Sequence, residues 1–287
     1  MVLRILFILL ALGPLSVVPL QAGWFDNLTS YFRKPGPAAP PKIRILVVHD
    51  QQGVVLEVKG KYKIHDPHTG DHLSTRFVGK RKFIQAVRDG IKWGEEFPGL
   101  YQLMIVPDER TTTTIVDGIE YRGPIYVYDI GGTISIINEV SIEDYLSSVL
   151  AKKYSQETSP ELLAAIAIAA RTAAYYAAEN PKSQYWSVDG RQVDYQGSVV
   201  INTGTDMEKA IHETRYMVMS NSAPGDEQIS PFPAEWTNGQ GIGLGQQVLS
   251  RITLADAAAL AQKGEHAAQI LSKAFPGSKI ELIHYKQ

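Results

Sequence analysis

Apolar and polar positions change rhythm along the chain. From Ile43 to Asp129 they alternate in short runs, the period of half-buried strands. Ile43–Val48 and Val54–Val58 read as strands, with Gln51-Gln52-Gly53 as the turn. Lys61–Ile64 and Leu73–Val78 read as the arms of a longer hairpin. Lys82–Lys92 reads as a helix and Gly94–Pro98 as a loop. Tyr101–Val106, Ile115–Val116, Ile119–Tyr121 and Ile125–Asp129 are further strands, with Asp117-Gly118 a hairpin turn. After the strand-like Thr133–Ile137, the pattern passes through a short amphipathic piece, Glu143-Asp144-Tyr145-Leu146. A polar turn, Lys152 to Pro160, then opens the longest uninterrupted helical pattern, which runs to Ala178.

That long helix has start signals: Thr158 with Glu161 fits a capping box, and Pro160 sits where a first-turn proline is tolerated. Ala164, Ala165, Ala167, Ala169 and Ala170 leave little bulk on any side, which predicts close packing all round and a central position. Asn180-Pro181 ends it. Tyr185–Val188 and Val193–Ile201 return to strand or loop, Asp206–Thr214 is a short helix and Tyr216–Met219 a strand. Ser220–Pro233 reads as a polar, mobile loop, and Leu254–Phe275 as a helix or helix pair broken at Gly264. The expected class is α+β: mixed, with a β-rich N-terminal part wrapped around a central Ala-rich helix, and a helical C-terminal end.

The N-terminus changes the picture of where the protein works. Arg4 precedes an apolar run, Ile5–Val18, interrupted by Gly13, Pro14 and Ser16, and Leu20-Gln21-Ala22 precedes Gly23. This is the pattern of a signal peptide cleaved after Ala22, which predicts export to the periplasm or cell envelope. The rival is a retained membrane anchor; the run is short for a span of about 20 residues and holds a central Gly-Pro, which favours cleavage. Trp24, Phe25, Leu28, Tyr31 and Phe32 share a helical face, read as a packing helix in preference to a membrane-resting one. Lys34 to Pro41 is a stiff Pro-rich linker. The expected organisation is a signal peptide (1–22), a leader and linker (23–42), and one domain (43–287).

Composition excludes several classes. A net charge of −2 and no basic patch with interleaved aromatics argue against a nucleic-acid partner. The absence of cysteine excludes disulfides, thiolate chemistry and a lipoprotein anchor. His65, His68 and His72 invite a metal site, but Pro67 and Gly70 among them favour a plain turn. Neither metal nor cofactor is therefore expected. The glycine repeat Gly239 to Gly245 lacks the preceding strand and the Lys-Ser/Thr or acidic partner of a phosphate-cradling loop.

Several of these pieces together resemble the SpoIID/LytB family, the stage II sporulation protein D and amidase-enhancer proteins of bacterial cell-wall remodelling. They are Ile137-Asn138, Glu143-Asp144-Tyr145-Leu146 and the run from Glu161 through Ala169-Ala170-Arg171-Thr172. Tyr121-Arg122-Gly123, Tyr195-Gln196-Gly197, Glu213-Thr214-Arg215, Gly239–Gln246 and Phe275-Pro276-Gly277 follow in the family's order. The resemblance covers most of the chain from about Ile43. It implies a SpoIID-like fold and action on peptidoglycan glycan strands as a lytic transglycosylase, or remodelling with a cell-wall amidase as a partner. The alternative it implies is a binding or amidase-enhancing protein whose active site has decayed.

The departures bear on the choice between these. The family's catalytic glutamate stands eight residues after the tyrosine of EDYL and eight before the glutamate opening the next helix; both spacings fall on Lys153. A carboxyl there would protonate the glycosidic oxygen, then take the proton of the attacking sugar hydroxyl. Lysine, with a reference pKa of about 10.4, would need a very large depression to do so. As a cation it can hold a carboxylate instead. Glu157, four residues on, is the nearest alternative acid, read first as a solvated loop carboxylate. Gln240 replaces the family's glycine-loop histidine, and Arg191 and Gln192 stand where zinc ligands are expected. The substrate-binding residues implied by the resemblance are Arg171, Trp236, Gly239, Gln240, Gly241, Gly243 and Gln246. Arg171 is either a buried, paired charge or a groove residue, and Trp236 is a platform for a sugar ring.

Overall fold

The computed structural model describes residues 41–77, 79, 81–151, 153–154, 158–198, 204–221, 228–237 and 247–285. The N-terminal half runs through β1 (Lys42–Gln51), β2 (Gly53–Lys59), β3 (Tyr62–His65), β4 (His72–Arg76), β5 (Lys82–Val87) and β6 (Gly90–Trp93). It continues through β7 (Glu95–Pro98), β8 (Gln102–Pro107), β9 (Thr113–Val116), β10 (Ile119–Tyr121), β11 (Ile125–Ile130) and β12 (Thr133–Ser141). Helices α1 (Ile142–Leu150) and α2 (Pro160–Glu179) follow, then β13 (Val188–Asp189), α3 (Gly190–Val193), α4 (Asp206–Glu213) and β14 (Met217–Ser220). The chain closes with β15 (Ala234–Thr237), β16 (Val248–Thr253), α5 (Leu254–Gln262), α6 (Ala267–Ala274) and β17 (Lys279–Leu282). This is the α+β arrangement expected.

Two sheets carry the β-rich part, ordered β13-β1-β12-β11-β8-β3-β4 and β10-β9-β2-β5-β6-β7. Alternation places Ile43 and Ile45, Val54, Leu56 and Val58, Leu103 and Ile105, and Ile134 and Ile136 in one core, which continues into the helices. β11 has no polar alternation because both its faces are covered. Ile125 and Val127 join the main core, while Tyr126 and Tyr128 pack with Leu46 and Ile137 on the opposite face.

Two expectations are corrected in this half. Lys82–Lys92 is not a helix but the hairpin of β5 and β6, with Ala86 opposite Ile91 and Ile84 opposite Trp93. Ile84, Val87 and Ile91 have helical spacing, but Asp89-Gly90 turns the chain. Gly90 has φ 119°, and a Cβ there would collide with the carbonyl oxygen of Phe97. Gly94–Pro98 is likewise no loop: Glu95–Pro98 is β7, paired with β6. The His65–His72 tip is a turn between β3 and β4. The Gly70 N–H donates to Asp66 O at 2.8 Å and the His68 N–H to Asp66 Oδ1 at 2.8 Å. Among the described residues, no group of three or more His, Asp or Glu side chains is placed to hold a metal ion.

α2 is the central helix, with buried positions all round, from Leu162 and Leu163 through Ala165–Ala170 to Ala177. α1, α4, α6, β14 and β15 all pack on it. Its start differs from expectation. The N-cap is Ser159, without a side-chain cap bond, and Pro160 opens the helix. The expected box partner Glu161 turns away to α6, accepting the Ala267 N–H at 2.7 Å. The C-terminal helical stretch is a pair, α5 and α6, separated around Gly264. No helix of the described residues is long and apolar enough to cross a membrane.

Candidate functional site

The site is organised by the two sides of α1. On one side, Glu143 holds the guanidinium of Arg171, which rises from the middle of α2 and is fully buried. The pairing is bidentate, Nε to Oε1 at 2.8 Å and Nη2 to Oε2 at 2.9 Å. The remaining N–H groups donate to Ile211 O at 2.9 Å, Thr214 Oγ1 at 3.2 Å and Met217 O at 3.4 Å. One arginine thus ties α1, α2, α4 and the approach to β14 together. A buried ion pair holds when every lone pair and proton finds such a partner.

Other motif residues are frame as well. Asn138 is buried in β12; its Nδ2 donates to Arg122 O at 2.8 Å, and its Oδ1 accepts from Tyr195 Oη at 2.6 Å. Ser148 of α1 donates to Gly197 O at 2.8 Å. Gly197 has φ 67°, and a Cβ there would strike the carbonyl of Glu120. These contacts fix α1 against the sheet edge.

The other side of α1, about half a helical turn from Glu143, faces a cavity of about 40 Å³. Tyr145, Val149 and Leu150 of α1, Ala169 and Ala170 of α2, and Glu235 and Trp236 of β15 line it, together with Lys153 and Tyr154. Lys153 reaches it because the helical turn continues past α1, with the Tyr154 N–H on Leu150 O at 3.0 Å. Three consecutive residues of β15, Ala234, Glu235 and Trp236, meet this cavity, and the parallel pairing of β15 with β16 has a register shift between Glu235 and Thr237. Lys153 is half-buried and has no hydrogen-bond or ion-pair partner among the described residues. Tyr145 Oη and Trp236 Nε1 are buried and likewise unpartnered, a cost of about 1–3 kcal/mol each. Burial pushes the Tyr145 phenol far up, and the Tyr154 phenol up as well, so both stay neutral donors.

A larger cleft of about 1150 Å³ lies on the Glu143 side, between the β8–β9 connection and α4. Its charges are mixed, Asp108, Glu109, Asp206 and Glu208 against Arg110, Arg122, Lys209 and Arg215. Of the two carboxylates that α1 contributes there, Glu143 is held by Arg171 and Asp144 accepts from the Ser141 hydroxyl at 2.7 Å. The smaller cavity, where donors are left open, is the better candidate.

The structure places Lys153 and Trp236 on the lining of the same cavity. The Trp236 indole is 8 % exposed and edge-on to Phe275, with ring centroids 5.6 Å apart. It is a wall of the cavity and not an open platform for a sugar ring. Arg171 takes the first of its two readings, a buried and paired charge. Glu157, Gly239, Gln240, Gly241, Gly243 and Gln246 lie outside the described residues, as do residues 1–40 with the expected signal peptide. Sequence reasoning missed Glu235 as a lining carboxylate and Tyr145 as an open donor. The alternation of Ala234-Glu235-Trp236-Thr237 is a strand signal, but it sets Glu235 on the face opposite Trp236 and so does not place it at the cavity.

Fold and site together describe a mixed α+β protein whose motif residues frame a small cavity. The family model of the stage II sporulation protein, SpoIID, matches residues 131–220, which include Asn138, Glu143, Lys153 and Arg171. An uncharacterized protein of Chlamydia pneumoniae is 36% identical over 200 residues, 68% of this chain and 72% of the relative. One of Chlamydia muridarum is 33% identical over 184 residues, 63% of each chain. One of Brachyspira hyodysenteriae is 28% identical over 179 residues, 61% of this chain and 47% of that protein. The match thus spans less than two thirds of the latter two. No solved structure matches. The chain belongs to the SpoIID family.

Proposed function

We propose that this SpoIID-type protein works in the cell envelope by binding peptidoglycan glycan strands at the Lys153 cavity, with little or no cleavage of them. The observation that carries this reading is the placement of Lys153: unpaired, half-buried and beside Trp236 in one cavity. Lytic cleavage needs one group that first gives a proton to the glycosidic oxygen and then accepts one from the sugar hydroxyl. A lysine cation at that position also opposes the oxocarbenium-like charge of the transition state. Binding asks for none of this; it needs donors and shape.

One observation favours a second reading, glycan-strand cleavage: Glu235 lines the same cavity and is a carboxylate that could take over both proton transfers. The full chain incubated with insoluble peptidoglycan and with peptide-free glycan strands separates the two. Retention on peptidoglycan without release of anhydro-ended products is expected. Lys153→Glu should then raise release, because it restores a carboxyl at the cavity. Robust release by the natural sequence, abolished by Glu235→Gln, selects the second reading. Failure of every form to be retained discards both.

A further inference from the structure

β17 belongs to a two-stranded antiparallel sheet, and β14 is its only strand neighbour among the described residues. Three hydrogen bonds show which way its backbone groups point. The Ile283 N–H donates to Tyr216 O at 3.0 Å, so residues 279, 281 and 283 turn their N–H and C=O groups towards β14. Met217 and Met219 accordingly point theirs the other way. The Met219 N–H donates to Thr172 Oγ1 at 2.8 Å, and Met217 O accepts from Arg171 Nη1 at 3.4 Å. Side chains of α2 thus close the far edge of β14, while the backbone groups of Ile280 and Leu282 point out from the other edge, that of β17.

Both edges of the six-stranded sheet are blunted against further pairing. β7 carries Glu95, Glu96 and Pro98, and Glu120 O of β10 accepts from the Ser198 N–H at 2.8 Å. β17 instead reads Lys279-Ile280-Glu281-Leu282. Ile280 and Leu282 are 36 % and 46 % exposed on one face, and Lys279 and Glu281 alternate onto the other. Neither Lys279 nor Glu281 has an ion-pair partner among the described residues.

We propose that β17 pairs antiparallel with β17 of a second copy of this chain, across a twofold axis at Ile280, so that two two-stranded sheets become one of four strands. Backbone direction and charge together select this register. Only outward-pointing residues can exchange hydrogen bonds, so even-numbered residues must lie opposite even-numbered ones. An axis at Lys279 or Glu281 sets like charges opposite each other, and one at Ser278 or Leu282 leaves both charges without a complement. The axis at Ile280 sets Lys279 opposite the partner's Glu281 and Glu281 opposite the partner's Lys279. On the other face it brings the two isoleucines side by side, with each leucine diagonal to the isoleucine across from it. Four residues a side make a contact at the low end of interface sizes, so the association is weak and reversible. In the glycan-binding reading above, two joined copies carry two Lys153 cavities, and retention on a repeating polymer rises by avidity.

Sedimentation equilibrium of the full chain without glycan, from about 1 µM to about 0.5 mM, tests the pairing. A monomer–dimer equilibrium with no larger species is expected, because a twofold contact closes on itself. Ile280→Pro removes an N–H that points away from β14, at an edge where proline is tolerated. It should weaken association at least about tenfold and leave the circular dichroism spectrum unchanged. Lys279→Glu and Glu281→Lys, each alone, set like charges opposite each other at two places and should weaken it by about tenfold. Mixing these two variants places opposite charges across the axis again and should restore association. A chain that stays monomeric over the whole range, or a dimer indifferent to Ile280→Pro, overturns the proposal. So does a mixture of the two charge variants that associates no better than either alone. With no glycan present, none of these outcomes bears on the function proposed for the cavity.

Discussion

The two sides of α1 treat polar groups in opposite ways. Towards Glu143, a fully buried arginine is satisfied by a carboxylate, a hydroxyl and two carbonyls. Towards Lys153, a hydroxyl and an indole N–H are buried with nothing to bond, in a space lined by alanine and valine. The first side is what a fold needs to stay shut. The second makes sense as a place kept open at a cost to stability, which is the usual mark of a site. Of the residues that signal the family, Glu143, Arg171 and Thr214 are on the satisfied side, while Tyr145, Ala169 and Ala170 line the open one. The position where this chain departs from the family, Lys153, is on the open one.

The comparison breaks first if Arg171 is not the clamp. Arg171→Met leaves Glu143 without its cation and several acceptors without donors, and should cost about 3–5 kcal/mol. Urea unfolding would show this as a lower midpoint at unchanged slope; a loss below about 1 kcal/mol would mean that the pair is not holding the helices. Tyr145→Phe on the other side should do the opposite. It removes a hydroxyl that makes no bond, so stability should be unchanged or rise by up to about 1 kcal/mol. A clear loss in the same assay would mean that this hydroxyl is satisfied and the cavity side resembles the clamp side after all.

The smallest effect concerns Glu161. Its carboxyl lies below the ordinary value chiefly because it accepts the Ala267 N–H, with His266 adding to the shift. A depressed folded-state value means stability that is present above the ordinary value of 4.5 and is lost as pH falls through the folded one. Glu161→Gln should therefore cost about 0.3–1 kcal/mol near neutrality, as for a carboxylate at a helix N-terminus. Melting curves of the two forms should converge in acid; a gap that persists there would assign the effect to packing.

What was legible in the sequence divides along physical lines. Strands with a clean two-residue period, such as Val54–Val58, and the alanine-rich helix were readable because one burial pattern admits one element. Lys82–Lys92 was not, because Ile84, Val87 and Ile91 fit the helical period and only Asp89-Gly90 marks the turn that overrides it. β15, β16 and β17 are short and owe their existence to partners distant in sequence, Val248 for Ala234 and Leu282 for Met217. Lys153 was legible by counting from two flanking motifs, since equal spacing survives a change of residue. Glu235 was not, because nothing local marks which carboxylate of a short strand meets a cavity. The Thr158–Glu161 box fits the local rule, yet a backbone N–H of α6 competes for the same carboxylate and wins.

The position of β1 bears on how the chain comes to be folded. Although first of the described strands, it is interior in its sheet: Ile45 lies between Asn138 of β12 and Val188 of β13. A chain emerging from its N-terminus therefore exposes the apolar row Ile43, Ile45 and Leu46 until more than half of its length is available to cover it. Such late-arriving partners slow folding and lengthen the interval in which unpaired strand edges can join another chain. Newly made protein should thus depend on being shielded during that interval.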